Sequence, residues 1–278
     1  MPDRVERPNT TRYAKGTAPR PPASDAARPA RKAQPGTDAP VPAVAGETHR
    51  ALVAEKLAGF AAVTWDWSQI QEYTVSTIQE ILAARAVPPE YLASPRLDIA
   101  VPAIEAMRYS GLKREFALLI ASTMDTGRAD DAHPSFIEIL KQLTSDEVRM
   151  IASLPGLGQV LPFANINYTD RSGRILSSLR YIVPDFLAGA CERRRALASY
   201  IDNLLRLNLI AAPAHLAISD ERFYRELLAQ AFIADFEAGV PAHLKANIDR
   251  RVLCLTDFGH LFRNCCVEQT VYGHPALR

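Results

Sequence analysis

Beyond residue 48, apolar side chains recur at every third or fourth position along most of the chain, the spacing that lines one face of an α-helix. Residues 49–63 (HRALVAEKLAGFAAV) read as an Ala-rich helix. A second is predicted over about 68–85, with Ile70, Tyr73, Thr77, Ile81 and Leu82 at helical spacing and Asp66 placed to cap it. Pro88 and Pro89 stop it. VPAIEAMRY offers a third, with Pro102 expected in the first turn, where its missing N–H costs nothing, and Gly111 ending it. The cleanest amphipathic pattern is Leu112–Asp125, where Phe116, Leu119, Ile120, Thr123 and Met124 share a face. After the polar loop TGRADDAH, Pro134 opens a helix carrying Phe136, Ile137, Ile139 and Leu140. Thr144 and Glu147 form a T-x-x-E capping box for a helix over 145–154, which Pro155-Gly156-Leu157-Gly158 terminates.

The pattern then becomes mixed. QVLPFANINY (159–168) looks partly extended, and a polar turn follows at Thr169–Gly173. Helices are predicted around 183–192 and 194–208, the latter with Leu197, Tyr200, Ile201, Leu204 and Leu205 inward. Leu209-Ile210 reads as a short strand, Ser219–Glu237 as a helix-rich insertion, RVLCLTDF as a strand and GHLFRNCCV as a closing helix. This order predicts a mainly α fold: a helical subdomain over 48–144, then a winged-helix-like α+β subdomain with a small β-wing over 145–270, then a C-terminal tail at 271–278. In such an arrangement the helix at 195–208 is the potential groove reader. A fold does not define a function, so the site must be argued separately.

Composition changes the picture mainly at the N-terminus. Residues 1–47 hold nine of the twenty prolines and only Val5, Val41 and Val44 as large aliphatics. Such a stretch cannot bury enough apolar surface to offset the entropy of ordering it, and it is expected to be a disordered Pro/Ala-rich tail. The whole chain is 48% hydrophobic with a net charge of +1, which argues against a dedicated nucleic-acid binder. No apolar h-region opens the chain, and no apolar run reaches the length that spans a bilayer, so a cytoplasmic location is expected. Cys191, Cys254, Cys265 and Cys266 have no zinc-site spacing and are expected to be reduced, packed thiols.

Two stretches carry a resemblance. One is Pro102–Leu154, above all EFALLIASTMD followed by AHPSFIEILKQLTSDEVRMI. The other runs from SYIDNLLRLNLI (Ser199–Ile210) to LTDFGHLFRNCCV (Leu255–Val267). Together these blocks resemble the Abi-alpha family of bacterial proteins, named for abortive infection. The resemblance implies a role in defence against phage, by arrest of the infected cell, and brings no catalytic residues with it. It leads to a protein that works through protein association, including self-association, or through engagement of the host membrane. The rival reading is a winged-helix DNA-binding regulator.

No catalytic, cofactor-binding or metal-ligating residue is assigned from the sequence. Asp130, Asp131 and His133, with Asp125 close by, make the most site-like loop, although the spacing fits no EF-hand and no HExxH. Its plainer reading is two solvated carboxylates and a histidine at a helix entry. Arg193, Arg194 and Arg195 form a basic knot at the start of the 195–208 helix, and Arg206 is its outward cation. Asp202 on the same face would repel a phosphate backbone. No GxSxG elbow and no phosphate-cradling glycine loop occurs. Trp65 and Trp67, after the Ala-rich helix, resemble an interfacial anchor and are candidate contacts with a membrane surface or a partner.

Overall fold

The computed structural model describes residues 49–56 and 68–267. The predicted tails, the Asp66 cap, Trp65, Trp67 and the second half of the Ala-rich helix lie outside the described residues. What is described is mainly helical, with one four-stranded antiparallel sheet. Helix α1 covers 49–56, followed by α2 (Ser68–Ala84), α3 (Leu97–Met107), α4 (Lys113–Met124), α5 (Ser135–Leu140) and α6 (Ser145–Ser153). Then come β1 (Leu161–Thr169), β2 (Ile175–Ile182), α7 (Asp185–Gly189), α8 (Leu197–Arg206), β3 (Ile210–Ala211), α9 (Glu221–Leu228), α10 (Ala231–Ala238), β4 (Lys245–Leu255) and α11 (Asp257–Cys266).

Two local expectations are corrected. α4 is not an amphipathic surface helix: every residue from Phe116 to Met124 is buried. α2, α3, α5 and α11 all pack against it, so Ala117, Ala121 and Ser122 serve as the close-approach side. The apolar stripe seen in the sequence was one part of a surface buried all round. Pro102 is not in a first turn. α3 begins at Leu97, five residues earlier, which places Pro102 in the helix interior and removes the bond its N–H would make to the Asp98 carbonyl.

The sheet is larger than a small wing. Its order is β2-β1-β4-β3, and β1 pairs with β4 in unbroken antiparallel register from Leu161↔Leu253 to Thr169↔Lys245. β2 had no sequence signal: ILSSLRYI alternates poorly, and its first six residues are exposed or half-buried on an edge. The β1–β2 hairpin turns on Asp170, whose carboxylate accepts the N–H groups of Ser172 and Arg174, and on Gly173 at φ +83°. Near its other end, Arg180 and Tyr181 stand opposite the single residue Asn165, a bulge with Tyr181 at φ +54°. A left-handed backbone at a non-glycine costs on the order of 1–2 kcal/mol. Here the Tyr181 N–H donates to Asn165 Oδ1 at 2.9 Å, Arg180 lies 4.7 Å from the ring centroid, and the hydroxyl reaches Asp202 on α8 at 2.6 Å.

One core cluster runs from Val53 to Val267 and joins all the helices up to α8, the inner sheet residues and α11. A second lies on the opposite sheet face, where Ala164, Ile166, Tyr168 and Ile182 meet Tyr224, Leu227 and Ile233 of α9 and α10. The insertion between β3 and β4 therefore covers that face. Each fully buried aliphatic or phenyl side chain contributes about 1.5–3 kcal/mol relative to exposure.

Candidate functional site

The densest polar constellation forms where α6 meets the segment leading into α8. The Thr144 capping box expected from the sequence is present: the Thr144 N–H and hydroxyl both donate to Glu147 Oε2, at 2.6 and 2.8 Å, and Thr144 Oγ1 accepts from Glu147 N–H. Glu147 is buried, and its other oxygen accepts from Asn203 Nδ2 of α8 at 2.6 Å. Asp146, one residue earlier, is also buried. Its Oδ1 accepts from Arg149 and from the Glu192 N–H, while its Oδ2 accepts from the Arg193 N–H and the Tyr200 hydroxyl. Burial by itself would raise the Asp146 carboxyl pKa. The two backbone donors, with Arg149 and Tyr200, outweigh burial and hold it at about 2. This carboxylate is saturated with donors, so it positions the 192–193 turn and is not free to move a proton.

A cleft of about 330 Å³ opens over it, lined among others by Ser110, Leu143, Asp146, Arg149, Arg193 and Tyr200. It continues into a broad, open groove of about 750 Å³ bordered by Arg193, Arg194, Arg195 and Ser199. The side chains of Arg193, Arg194 and Arg195 are exposed and make no ion pair with any described residue. Arg206 is placed differently. Its guanidinium donates to Asn203 Oδ1 and, at 2.9 Å, to Gln142 Oε1. Asp202, on the same outward face, holds Arg180 at 2.6 Å. The structure thus gathers the arginine triplet at one end of α8 and ties Arg206 down at the other.

The 125–135 loop is built as a structural turn. Asp125 Oδ1 accepts from the Gly127 N–H at 2.9 Å, and Asp130 and Asp131 sit in a 3-10 turn. His133 Nδ1 accepts from the Ser135 N–H at 3.1 Å at the start of α5, and its ring packs against Phe136 and Phe258. No hydrogen bond or ion pair joins His133 to Asp130 or Asp131 among the described residues. None of the described residues forms a group of three or more His, Cys, Asp and Glu that could hold a metal ion.

The four thiols are free. Burial pushes Cys191 and Cys265 up to about 11, and raises Cys266 and Cys254 as well. A buried thiol kept protonated at neutral pH is a poor nucleophile. Sequence reasoning missed Asp146, Arg149 and Tyr200. An aspartate in a helix first turn ordinarily reads as a solvated complement to the helix dipole, and its burial depends on Glu192 and Arg193, which are distant in sequence.

Among the described residues no helix is long and apolar enough to cross a membrane. No curated protein matches the chain. A solved structure of an uncharacterized protein from the hydrocarbon-degrading marine bacterium Alcanivorax borkumensis SK2 is similar at 18% identity, over 55% of this chain and 94% of that one, with a TM-score of 0.32. The family described as abortive infection alpha matches residues 70–266, a span that takes in the helical core, the sheet and the Asp146 centre. The chain belongs to the abortive infection alpha family.

Proposed function

We propose that this chain is a bacterial anti-phage defence protein that acts by protein association or host-membrane engagement rather than by catalysis. The observation that carries the defence reading is membership of the abortive infection alpha family across residues 70–266. The state of the reactive groups supports the rest. Asp146 is saturated with donors, His133 Nδ1 is engaged by Ser135, and burial raises the pKa of every thiol. The surface offers contacts instead. Arg193–Arg195 project into an open groove, and the edge strand β2 exposes Ile175 and Leu176 to 56% and 48%. An exposed strand edge with apolar side chains is a template for pairing with another chain. The order α6, β1, β2, α7, α8, β3, β4, with α9 and α10 inserted between β3 and β4 and strands β1, β4 and β3 adjacent in the sheet, supports reading residues 145–270 as winged-helix-like.

The defence reading is tested by plating a broad phage panel on a bacterial host with and without the gene. Reduced plating on the expressing host is expected; unchanged plating for every phage removes it. The mode of action is tested on the purified chain by light scattering and by flotation with anionic vesicles. A defined oligomer or vesicle-bound protein is expected, and a monomer that ignores vesicles rejects self-association and membrane engagement.

A further inference from the structure

A separate cavity of about 220 Å³ lies between the C-terminal ends of α2 and α11 and the middle of α4. Two guanidiniums, Arg85 and Arg128, line it together with the apolar side chains of Ile81, Leu118 and Val267. Arg85 is half-buried. Its Nη1 donates to Ser122 Oγ at 3.1 Å, and it has no carboxylate within ion-pair distance among the described residues. Arg128 Nη1 donates to the Asn264 carbonyl at 3.2 Å, and its Nε lies 3.6 Å from Asp125 Oδ2. The Ser122 hydroxyl lies 2.9 Å from the Leu118 carbonyl and 3.1 Å from the Cys265 carbonyl, so Arg128 alone bonds directly to the last turn of α11.

The charges do not balance. A helix C-terminus supplies about half a negative charge. Asp125 supplies one more, and one of its oxygens is already occupied by Gly127. Among the described residues, the two guanidiniums sharing this partly desolvated cavity are therefore left with a net positive charge. Burial, followed by the Arg128 charge, lowers the Arg85 pKa, and the nearby Asp125 carboxylate offsets this only in part. A planar guanidinium presents paired N–H donors that match the oxygens of an oxyanion. The apolar wall on the other side suits a carbon substituent.

We propose that this cavity binds a phosphate monoester, with its phosphoryl oxygens between Arg85 and Arg128 and its apolar substituent against Ile81, Leu118 and Val267. The inference rests on this cavity alone and does not depend on the defence reading. The test is isothermal titration calorimetry of the full chain at constant ionic strength with phenyl phosphate, inorganic phosphate and hexanoate. Saturable binding of phenyl phosphate is expected, weaker binding of inorganic phosphate, and no saturable signal from hexanoate. Arg85→Gln and Arg128→Gln should each weaken phenyl phosphate by at least about tenfold, the loss of one charge-assisted pair. Arg85→Lys should recover part of the affinity. If Arg85→Gln does not fold, Arg128→Gln decides, because that side chain is 43% exposed. The proposal is overturned by no saturable phenyl phosphate binding, by undiminished binding in a folded glutamine variant, or by hexanoate binding equally tightly.

Discussion

Asp146 shows how one side chain can hold two distant segments. Its two oxygens take four donors, two of them backbone N–H groups at Glu192 and Arg193 that would otherwise be left without a partner beside a buried carboxylate. In Asp146→Asn one oxygen becomes an NH₂ group that faces at least one backbone N–H, so at least one bond is lost together with the charge. The expected cost is on the order of 2–3 kcal/mol, measured by urea unfolding at neutral pH. The pH dependence follows from the depressed pKa. The carboxyl's ordinary value is 3.8 and the folded value about 2, so its contribution is fully present above pH 4 and is lost as pH falls towards 2. The variant should show a shallower acid limb over that window than the parent, and equal slopes would rule out this account. Little of this was legible in the sequence. Thr144 and Glu147 announced themselves by spacing, because a capping box is a local device. Asp146 sits between them, and its role is set by a turn that only the folded chain brings near.

At the scale of elements, the two ends of the second stretch that carries the family resemblance, Ser199–Ile210 and Leu255–Val267, meet in one joint. α8 ends in a Schellman-type turn: Asn208 takes φ +56°, its N–H bonds to the Leu205 carbonyl, and the Leu209 N–H bonds to the Leu204 carbonyl. Thr256 then reaches back, its hydroxyl donating to the Asn208 carbonyl at 2.6 Å and its N–H to the Leu209 carbonyl, while Thr256 Oγ1 caps α11 by accepting from the Gly259 N–H. The start of α11 presses so closely on this turn that a Cβ on Gly259 would sit 1.8 Å from the Leu209 carbonyl oxygen. That neighbour is backbone and cannot rotate away. Ala for Gly inside an exposed helix normally gains about 1 kcal/mol. Here Gly259→Ala should instead lose on the order of 3 kcal/mol, read as a lowered midpoint in thermal unfolding followed by circular dichroism. A neutral or stabilising effect would mean that the two elements are not in contact. The short strand after α8 could be read from residues alone, one residue early, whereas the sequence reads Thr256 as strand and the structure makes it the cap of α11. The contact that requires glycine could not, since no local pattern relates positions 209 and 259.

The whole molecule raises the question of how far its two predicted subdomains act as one. Periodicity predicted a helical part ending near residue 144 and an α+β part beyond it, and the elements on each side were largely legible because each is short and strongly patterned. β2 was not, because an edge strand with a half-exposed face carries little alternation. Packing adds what periodicity omits. α4 lies in the first part, yet α11, from the end of the second, packs directly on it, and the Ser122 hydroxyl of α4 lies 3.1 Å from the Cys265 carbonyl. Phe136 of α5 meets Phe262 of α11 with ring centroids 5.3 Å apart. A core shared in this way leaves neither part with a complete apolar face of its own, so the two should unfold together. Leu119→Ala in α4 and Leu253→Ala in β4 each delete a fully buried side chain from the same cluster. Each should cost on the order of 2–5 kcal/mol. The discriminating feature is shape, not size. Both variants should shift a single transition, with near-UV and far-UV circular dichroism still coincident. Independent subdomains would give two steps, with Leu119→Ala moving one of them and Leu253→Ala the other.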